Sequence, residues 1–330
     1  MNDLLRAAQP GQRWTVRYRT PDGAATDVIG WLQLVTEEQV YVHRGGCELT
    51  VVERAAVVAA RQVPAAAGGP PPDRVISPDQ LEHVALPGWL ALSEPLGDWV
   101  LRAGGGFTGR ANSALAVGDP HVPVAEAARR IVAYAALNAI PPRAQVVQGG
   151  DPEAALQALG WVDSYVPTDV LAIRLADLLG TERPPTGVRV TETLEVAWWN
   201  AYAESRPADV DPGLLRLILA GHPPTGFASA SGEPGNSEPV AIGRGHLNGD
   251  WLGCSAVWTR PEHRRRGRAT DVLRALGHWA ARNGARYAYL QVATANTAAV
   301  TAYEGLGFRL HHRYRYLAPP AGDGVFTSVA

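Results

Sequence analysis

One stretch, from Trp251 to Arg282, restricts the fold more than any other part of the chain. It begins with a largely apolar run, Trp251 to Trp258, typical of a buried strand. A basic turn containing Gly267 follows. From Ala269 to Arg282 the apolar residues recur at helical spacing, which predicts a helix with one buried face. The apolar positions of that face are Val272, Leu273, Leu276, Trp279 and Ala280.

A strand, a basic turn and a helix in this order can hold a phosphate group. Backbone N–H groups at a helix start have no intrahelical partner, and the helix dipole favours an anion there. A glycine lets the backbone approach a ligand closely, and several arginines add positive potential. The alternative is an ordinary connecting turn, because Gly and Arg are common in loops.

The basic turn contains Arg264-x-x-Gly267-x-Ala269, which is similar to the Q/R-x-x-G-x-G/A signature of the GNAT N-acetyltransferases. In that family the turn holds the pyrophosphate of acetyl-CoA. The preceding strand offers free backbone N–H groups to the pantetheine arm and the thioester oxygen. The resemblance therefore implies acetyl-CoA (coenzyme A) as the cofactor. It assigns cofactor binding to Val257, Trp258, Thr259, Arg264, Arg265, Arg266, Gly267, Arg268, Ala269 and Thr270.

Residues 296–308 resemble a second segment of the same family, N-x-x-A-x-x-x-Y-x-x-x-G-F. By this resemblance Asn296 would contact the cofactor. Tyr303 would contact it too and would be the general acid for the coenzyme A thiolate. A tyrosine with a pKa of about 10 is protonated at pH 7 and can donate. The alternative for Tyr303 is a core residue that packs with Leu306.

The bulk properties exclude several classes of protein. The 330 residues suffice for two to three domains of roughly 100–150 residues. A net charge of −2 argues against nucleic acid as a partner, and all 30 basic residues are arginines. Two distant cysteines, Cys47 and Cys254, fit a reducing compartment. Since no apolar leader and no run of about 20 apolar residues occurs, we expect a cytoplasmic protein without membrane contact.

The first segment, residues 1–63, contains several short β-type runs separated by turn signals such as Pro21-Asp22-Gly23. Short strands at close spacing predict a small barrel. The pattern resembles the SH3-like barrel at the front of some bacterial GNAT proteins. Such a barrel either binds a partner or packs on its neighbours. Residues 64–74, rich in Ala, Gly and Pro, are predicted to be a linker.

The middle segment, residues 75–180, repeats part of the C-terminal pattern. A strand at Ala144–Gln148 and a helix ending before Gly160-Trp161 parallel the strand and helix before Gly307-Phe308. The middle copy lacks both the Arg-x-x-Gly-x-Ala turn and a tyrosine equivalent to Tyr303. We interpret it as a degenerate GNAT-like repeat, with chance similarity as the alternative. Further predictions are strands at Trp89, at Trp99–Leu101 and at Ala114–Val117.

The middle segment also contains a polar loop, Gly104 to Ser113. One hypothesis is a tight turn that satisfies its own backbone. The other is a substrate-facing loop lined by Arg102, Arg110 and Asn112. Arg110 and Asn112 are therefore candidates for the acceptor site.

After a second linker, 181–187, the elements between residues 188 and 318 follow the order β-α-α-β-β-β-α-β-α-β of a GNAT domain, and a tail follows at 319–330. The expected fold class is α/β (α+β). It comprises tandem GNAT-like domains, each with a mixed central sheet flanked by helices, after a small SH3-like β-barrel.

The general base is the least determined part of the predicted site. The candidates are Asp250, His246 and Glu195, and each could instead be a structural residue. Trp199 and Tyr202 are candidates for an aromatic acceptor pocket, although some of these rings must pack the core. No metal site is predicted.

These features predict an N-acetyltransferase that moves an acetyl group from acetyl-CoA to a primary amine by direct transfer in a ternary complex. The acceptor would be a small molecule or a protein. One alternative is a non-catalytic acyl-CoA-binding sensor whose barrel contacts a partner. A nucleic-acid-associated factor is another, which the net charge opposes. The oligomeric state does not follow from the sequence.

Overall fold

The structure, a computed structural model, describes residues 5, 8, 13–43, 49–62, 70–180, 184–205, 211–222, 224–232 and 238–320. Cys47 and most of the predicted linker 64–74 and tail 319–330 lie outside these residues. The contacts divide the chain into two compact units. The first unit comprises 1–72, 173–205 and 224–289, and the second comprises 73–172, 206–223 and 290–330. Each unit thus joins distant segments, and the domain limits predicted from the sequence stay a prediction.

The elements of the described residues are as follows in chain order. The strands are β1 (Arg13–Arg19), β2 (Ala25–Val35), β3 (Gln39–His43), β4 (Leu49–Glu53), β5 (Val57–Gln62), β6 (Leu92–Leu96), β7 (Trp99–Ala103), β8 (Ala114–Leu115), β9 (Ala144–Val147), β10 (Val162–Asp163), β11 (Thr168–Arg174), β12 (Val188–Thr191), β13 (Thr225–Ser231), β14 (Pro239–Asn248), β15 (Trp251–Thr259), β16 (Tyr287–Ala293) and β17 (Arg309–Ala318). The helices are α1 (Pro78–Ala85), α2 (Val124–Leu137), α3 (Asp151–Ala158), α4 (Leu175–Leu179), α5 (Val196–Ser205), α6 (Pro212–Ala220), α7 (Arg268–Arg282) and α8 (Thr297–Gly305).

The first unit begins with a five-stranded antiparallel sheet in the order β4-β3-β2-β1-β5. Its strands alternate apolar and polar side chains, so one face can be buried. The core formed by that face contains Leu5, Trp14, Val16, Val28, Leu32, Val40, Val42 and Val52. The small β domain predicted from the short strands is therefore present.

The rest of the first unit contains strands in the order β12-β13-β14-β15-β16, of which β16 contributes residues 287–289. Helix α7 packs on β13 and β14. The helix lies close to the sheet because strand glycines leave room for its side chains. A Cβ on Gly243 would lie 2.4 Å from Val272 Cγ1, and one on Gly245 would lie 3.1 Å from Leu276 Cδ2. This packing sets the position at which α7 begins.

The second unit contains strands in the order β11-β17-β9-β8-β7-β6, with β10 beside β17. Strands β8 and β9 are parallel, whereas β17 and β9 are antiparallel, so the sheet is mixed. Helix α2 places Ala127, Ala128 and Ile131 in the core of this unit, as its apolar spacing predicts. The α/β fold class with a mixed sheet and helices is confirmed.

The structure corrects one predicted element and adds another. Trp89 is not in a strand; it ends a 3₁₀ helix, Leu86–Trp89, in which Pro87 occupies the first turn. Helix α1 was not predicted, although its cap is visible in the sequence. Ser77 Oγ accepts from Gln80 N at 3.2 Å, and Gln80 Oε1 accepts from Ser77 N at 2.9 Å, which is a capping box.

Among the described residues, none of the helices has both the length and the apolar character needed to cross a membrane.

The contact between α7 and the sheet can be tested by adding one methyl group. We expect Gly243→Ala to destabilise the protein by about 1–3 kcal/mol, because the methyl group would overlap Val272. The control is Gly305→Ala in α8, where an added Cβ meets nothing within 4 Å. That change should stabilise by up to about 1 kcal/mol. Urea unfolding midpoints would measure both, and equal effects would contradict the packing argument.

Candidate active site

Strand β15 is irregular where it approaches the basic turn. Between Ile242 and Arg244 of β14 the register shifts, because β15 has one residue more than its partner. Ala256 lies in this β-bulge with a φ of 51°, a left-handed value uncommon for a residue with a side chain. A bulge redirects the residues after it, here Val257–Thr259. These residues are half-buried, whereas the start of β15 is buried.

Gly267 ends the basic turn and is the N-cap residue of α7. Its φ of 78° lies in the left-handed region, which glycine adopts without strain. A Cβ added there would meet nothing within 4 Å. No side chain accepts a hydrogen bond at this helix start. The first N–H groups of α7 therefore lack a side-chain cap.

The arginines of the turn differ in their contacts. Arg264 Nε donates to the carbonyl oxygen of Thr259 at 3.2 Å. Arg265 and Arg266 are exposed and make no hydrogen bond or ion pair in the described part of the chain. Arg268 Nη1 lies 3.7 Å from a carboxylate oxygen of Asp271. Two positively charged side chains, Arg265 and Arg266, thus lie beside the uncapped start of α7 without a partner among the described residues.

Two buried polar atoms flank this turn without a protein partner. Thr259 Oγ1, at the end of β15, and Arg268 Nε, at the start of α7, are buried and make no hydrogen bond with the described residues. Such atoms are costly unless a ligand or water satisfies them. Their positions fit a ligand rich in oxygen atoms, such as the phosphates of coenzyme A.

Asn296 and Tyr303 belong to the second unit, where both are part of α8 or its cap. Asn296 is the N-cap: its Oδ1 accepts from Ala299 N at 3.3 Å. The half-buried ring of Tyr303 meets Phe308 edge to face at 6.2 Å. One helix therefore positions both predicted residues, and Phe308 fixes the tyrosine ring.

The polar loop Gly104–Ser113 is held by hydrogen bonds between its own residues. Asn112 Oδ1 accepts from the backbone N–H groups of Gly104 and Gly106 at 2.7 and 2.8 Å, and Asn112 Nδ2 donates to Thr108 O at 2.8 Å. The side chain of Asn112 is 1% exposed. A contact between Asn112 and an acceptor would have to break one of these bonds. Arg110 lies on the same loop and is half-buried.

A second set of hydrogen bonds joins the loop to β7. Arg102 Nε donates to Ser113 O at 2.9 Å, and Arg102 Nη2 donates to Ser113 Oγ at 2.8 Å. Ser113 Oγ in turn donates to Gly109 O at 2.7 Å. A Cβ on Gly109 would lie 2.6 Å from Tyr316 Cζ, so this position requires glycine for the close approach. The loop is therefore held in one shape.

The three predicted bases lie in different surroundings of the first unit. Asp250 is in the turn before β15, and its carboxylate lies 3.6 Å from Arg286 Nη1. Buried His246 on β14 has its Nδ1 3.5 Å from Thr225 Oγ1. Both carboxylate oxygens of Glu195 are bonded to Arg189, one of them at 2.7 Å. These contacts raise the pKa of Arg189.

The aromatic candidates of α5 differ in exposure. Tyr202 is 2% exposed and stacks on Trp198 at 5.3 Å, whose Nε1 donates to Ala228 O at 3.1 Å. Tyr202 is thus part of the core, whereas Trp199 is half-buried. Close to Tyr202, β14 carries a buried arginine, Arg244. Burial lowers its pKa to about 10, with the hydroxyls of Tyr289 and Tyr202 opposing that shift.

A buried acid and two histidines in the second unit were not predicted. Glu82 of α1 is 2% exposed, and its Oε1 lies 2.9 Å from His312 Nε2. His312 Nδ1 lies 2.8 Å from His311 Nδ1, and His311 Nε2 lies 3.1 Å from the carbonyl oxygen of Ile76. The signal in the sequence was the adjacent pair of histidines in the last strand.

This chain of contacts fixes one proton position. The carbonyl oxygen of Ile76 can only accept, so His311 Nε2 carries a hydrogen. Burial, with the neighbouring His312, lowers the pKa of His311.

The fold and the turn together define the class. A mixed sheet, a bulged strand, an arginine-rich turn with a left-handed glycine and an uncapped helix are the arrangement of a GNAT acyltransferase. Residues 79–317 match the family model described as "Probable histone acetyltransferase Rv0428c C-terminal". Residues 8–61 match "Rv0428c N-terminal Sm-like domain". Because the first match covers more than half of the chain, this chain belongs to that family of GNAT-type acetyltransferases. Its small β domain is therefore Sm-like, whereas the sequence pattern had suggested an SH3-like barrel.

Three proteins illustrate the similarity. The chain is 29% identical over 322 residues to "Probable histone acetyltransferase Rv0428c" of Mycobacterium tuberculosis, covering 93% of this chain and 94% of that protein. It is 38% identical over 78 residues to "Uncharacterized N-acetyltransferase YobR" of Bacillus subtilis, covering 23% and 32%. A solved GCN5-related N-acetyltransferase from Kribbella flavida aligns with a TM-score of 0.52 and 20% identity over 74% of this chain and 96% of that one. The last likeness concerns the fold alone.

The lowered pKa of His311 predicts a pH-dependent stability. In the unfolded chain an ordinary histidine takes up a proton near pH 6.5, while folded His311 takes one up only at a lower pH. The unfolded state then binds more protons, so this residue costs stability as the pH falls through about 6.5. We expect the fall in unfolding midpoint between pH 7.5 and 5.5 to be smaller in His311→Gln than in the parent. The exposed His121→Gln is the control, and an equal fall in all three proteins would contradict the assignment.

Proposed function

We propose that this chain transfers an acetyl group from acetyl-CoA to a primary amine by direct transfer in a ternary complex. The observation that supports the proposal most is the uncapped start of α7. There Gly267 adopts a left-handed conformation beside the exposed Arg265 and Arg266. Membership of the acetyltransferase family favours this function over a non-catalytic acyl-CoA sensor.

The residues of the turn fit the pyrophosphate of coenzyme A. Free N–H groups at a helix start and the helix dipole both favour an anion. Arg265 and Arg266 would add charge-assisted hydrogen bonds. The orphaned Thr259 Oγ1 and Arg268 Nε would gain partners. Val257–Thr259, redirected by the bulge, would offer backbone groups to the pantetheine arm, and Asn296 would contact the cofactor.

Acetyl-CoA supplies the acetyl group as a thioester. The chain must hold that group, polarise its carbonyl, accept a proton from the amine and give a proton to the departing thiolate. Tyr303 is proposed to give that proton, because a tyrosine hydroxyl is protonated at neutral pH. His246, Asp250 and Glu195 remain the proposed bases. The oxygens of Glu195 are already bonded to Arg189, so Glu195 would have to release that arginine first.

Cys254 supports direct transfer over a two-step reaction through the protein. It lies in β15, the strand that leads to the turn, and could in principle carry the acetyl group. Burial raises the pKa of this thiol to about 12. The thiol therefore stays protonated near pH 7 and is a poor nucleophile.

The acceptor is proposed to be an amine of a small molecule or of a protein. The name of the mycobacterial relative refers to histones, which are proteins with many lysine amines. Trp199 of α5 is the aromatic candidate that retains an exposed part, so it is the more accessible of the two proposed aromatic contacts.

The first test concerns the turn. We expect Gly267→Asp to weaken acetyl-CoA binding by at least about tenfold, or ~1.4 kcal/mol, because it adds a negative charge where the pyrophosphate is proposed to lie. Calorimetry would measure the affinity. Gly23→Asp is a matched control, since Gly23 also has a left-handed φ, 83°, and open space around it. Unchanged affinity in Gly267→Asp would refute the proposed cofactor site.

The second test concerns the general acid. We expect Tyr303→Phe to lower kcat by on the order of 100-fold, the contribution that a positioned acid commonly makes. Acetyl-CoA affinity should change little, since the ring and its contact with Phe308 remain. Thiol release with a panel of amines would measure kcat, and Tyr165→Phe, an exposed tyrosine, is the control. A Tyr303→Phe enzyme as fast as the parent would disprove the role.

A further inference from the structure

Arg110 is held from three sides within the second unit. Its Nε donates to Tyr314 Oη at 3.0 Å, and its Nη2 points to the carbonyl oxygen of Gln291 at 3.5 Å. Its guanidinium carbon lies 4.8 Å from the centre of the Trp89 ring, a cation–π distance. Tyr314 is fully buried, and Trp89 packs with Ile218 in the core. The guanidinium therefore has a fixed position and orientation.

The remaining edge of Arg110 has no protein partner. Its Nη1 makes no hydrogen bond or ion pair with the described residues, and the side chain is only half-buried. A guanidinium carries five N–H donors in a planar fork that matches the two oxygens of a carboxylate or phosphate. A held guanidinium with an open edge is well suited to bind such an oxyanion.

The neighbouring charges favour an anion here. Glu82 is the acid of the buried cluster. One of its oxygens accepts from Gln145 Nε2 at 2.5 Å, and the other lies 2.9 Å from His312 Nε2. Arg102, also buried, donates to Gln145 Oε1 at 2.9 Å. Two arginines, Arg102 and Arg110, thus accompany one carboxylate. An added anion would reduce this excess of positive charge.

One proposed cofactor contact, Asn296, lies in the same compact unit as Arg110. Gln291, whose carbonyl oxygen faces Arg110, lies in β16, and its side-chain Nε2 is 3.4 Å from Glu82 Oε1. The same segment continues to Asn296, whose N–H donates to Ala293 O at 2.9 Å before α8 begins. Arg110 therefore contacts the strand that leads to Asn296, the proposed acetyl-CoA contact.

We propose that Arg110 binds an oxyanion, a carboxylate or phosphate group, that belongs to the amine acceptor. This inference rests on the proposed acetyl transfer and narrows its substrate to amines that carry a negatively charged group. The loop Gly104–Ser113 is held in place by Arg102, Asn112 and Ser113. Its residue Arg110 is the one positioned to bind the oxyanion.

Binding of simple anions tests the site without any need for turnover. Inorganic phosphate and succinate would be titrated into the ¹⁵N-labelled full chain, and the backbone amide signals of residues 109–111 followed. We expect saturable shifts in the parent, weaker binding in Arg110→Lys, and binding about 10- to 100-fold weaker in Arg110→Gln. Arg129→Gln, an exposed arginine of α2, should match the parent. No saturable shift in the parent, or equal binding by Arg110→Gln, would overturn the proposal. Unfolding midpoints would show that the variants fold.

A comparison of matched amines tests which molecule supplies the bound oxyanion. For each amine acid that the enzyme acetylates, kcat/KM would be compared with that of its amide, beginning with β-alanine and β-alaninamide. We expect Arg110→Gln to lower the ratio of acid to amide about 10- to 100-fold. An unchanged ratio would overturn the acceptor assignment. A loss of acetyl-CoA affinity in Arg110→Gln would also overturn it, because the oxyanion would then be a phosphate of the coenzyme.

The two proposals can fail separately. If Gly267→Asp left acetyl-CoA binding unchanged, the proposed cofactor site would be wrong while anion binding at Arg110 still held. If acetyl-CoA bound and amines were acetylated with no preference for acids over amides, the inference about Arg110 would be wrong while the acetyl transfer still held.

Discussion

The first unit depends on how closely α7 lies on its sheet. That distance is set by strand residues without side chains, because any Cβ on Gly243 would meet the Val272 side chain. The apolar face of α7 fills the space, and Trp279 additionally donates from Nε1 to Glu192 at 3.0 Å. With the helix axis fixed in this way, its first turn occurs directly after the bulged strand. The anion binding proposed for the turn would thus be a consequence of core packing.

The second unit uses a different constraint, which is the burial of charged groups. Taking an ion out of water costs several kcal/mol unless hydrogen bonds replace the lost hydration. Here the lost hydration is replaced by hydrogen bonds that link Arg102, Gln145 and Glu82. Burial still lowers the pKa of Arg102. Such a network tolerates little change, because removing one member leaves the others unsatisfied. Its value here is the fixed shape that it gives to the loop around Arg110.

The sequence predicted the fold well where a pattern was both periodic and bounded by caps. The spacing of Val272, Leu276 and Trp279 placed the start of α7 within one residue of its observed start. The prediction of a strand at Trp89 was wrong, because a single aromatic residue shows no periodicity. The preceding Pro87 favoured a 3₁₀ turn.

The candidate site was predictable only where its chemistry is local in the chain. The turn around Gly267 is contiguous, so its residues could be named together. The contacts of Arg110 could not, because Tyr314 and Gln291 are nearly two hundred residues away or more. Asn112 illustrates the same limit. Its residue type fitted a substrate contact and a structural role equally well. The four hydrogen bonds of its side-chain amide favour the structural role. Side-chain roles that depend on distant partners require coordinates.

The exposed Arg265 and Arg266 have a kinetic consequence. The whole chain carries a net charge of −2, so its distant field does not attract anions. These two arginines act within the Debye length, about 8 Å at physiological ionic strength. A polyanion that diffuses past would be oriented only in its last few ångströms of approach. The rate of capture should therefore fall as salt is added, while the rate of escape, governed by the contacts proposed for Thr259 and Arg268, should change much less.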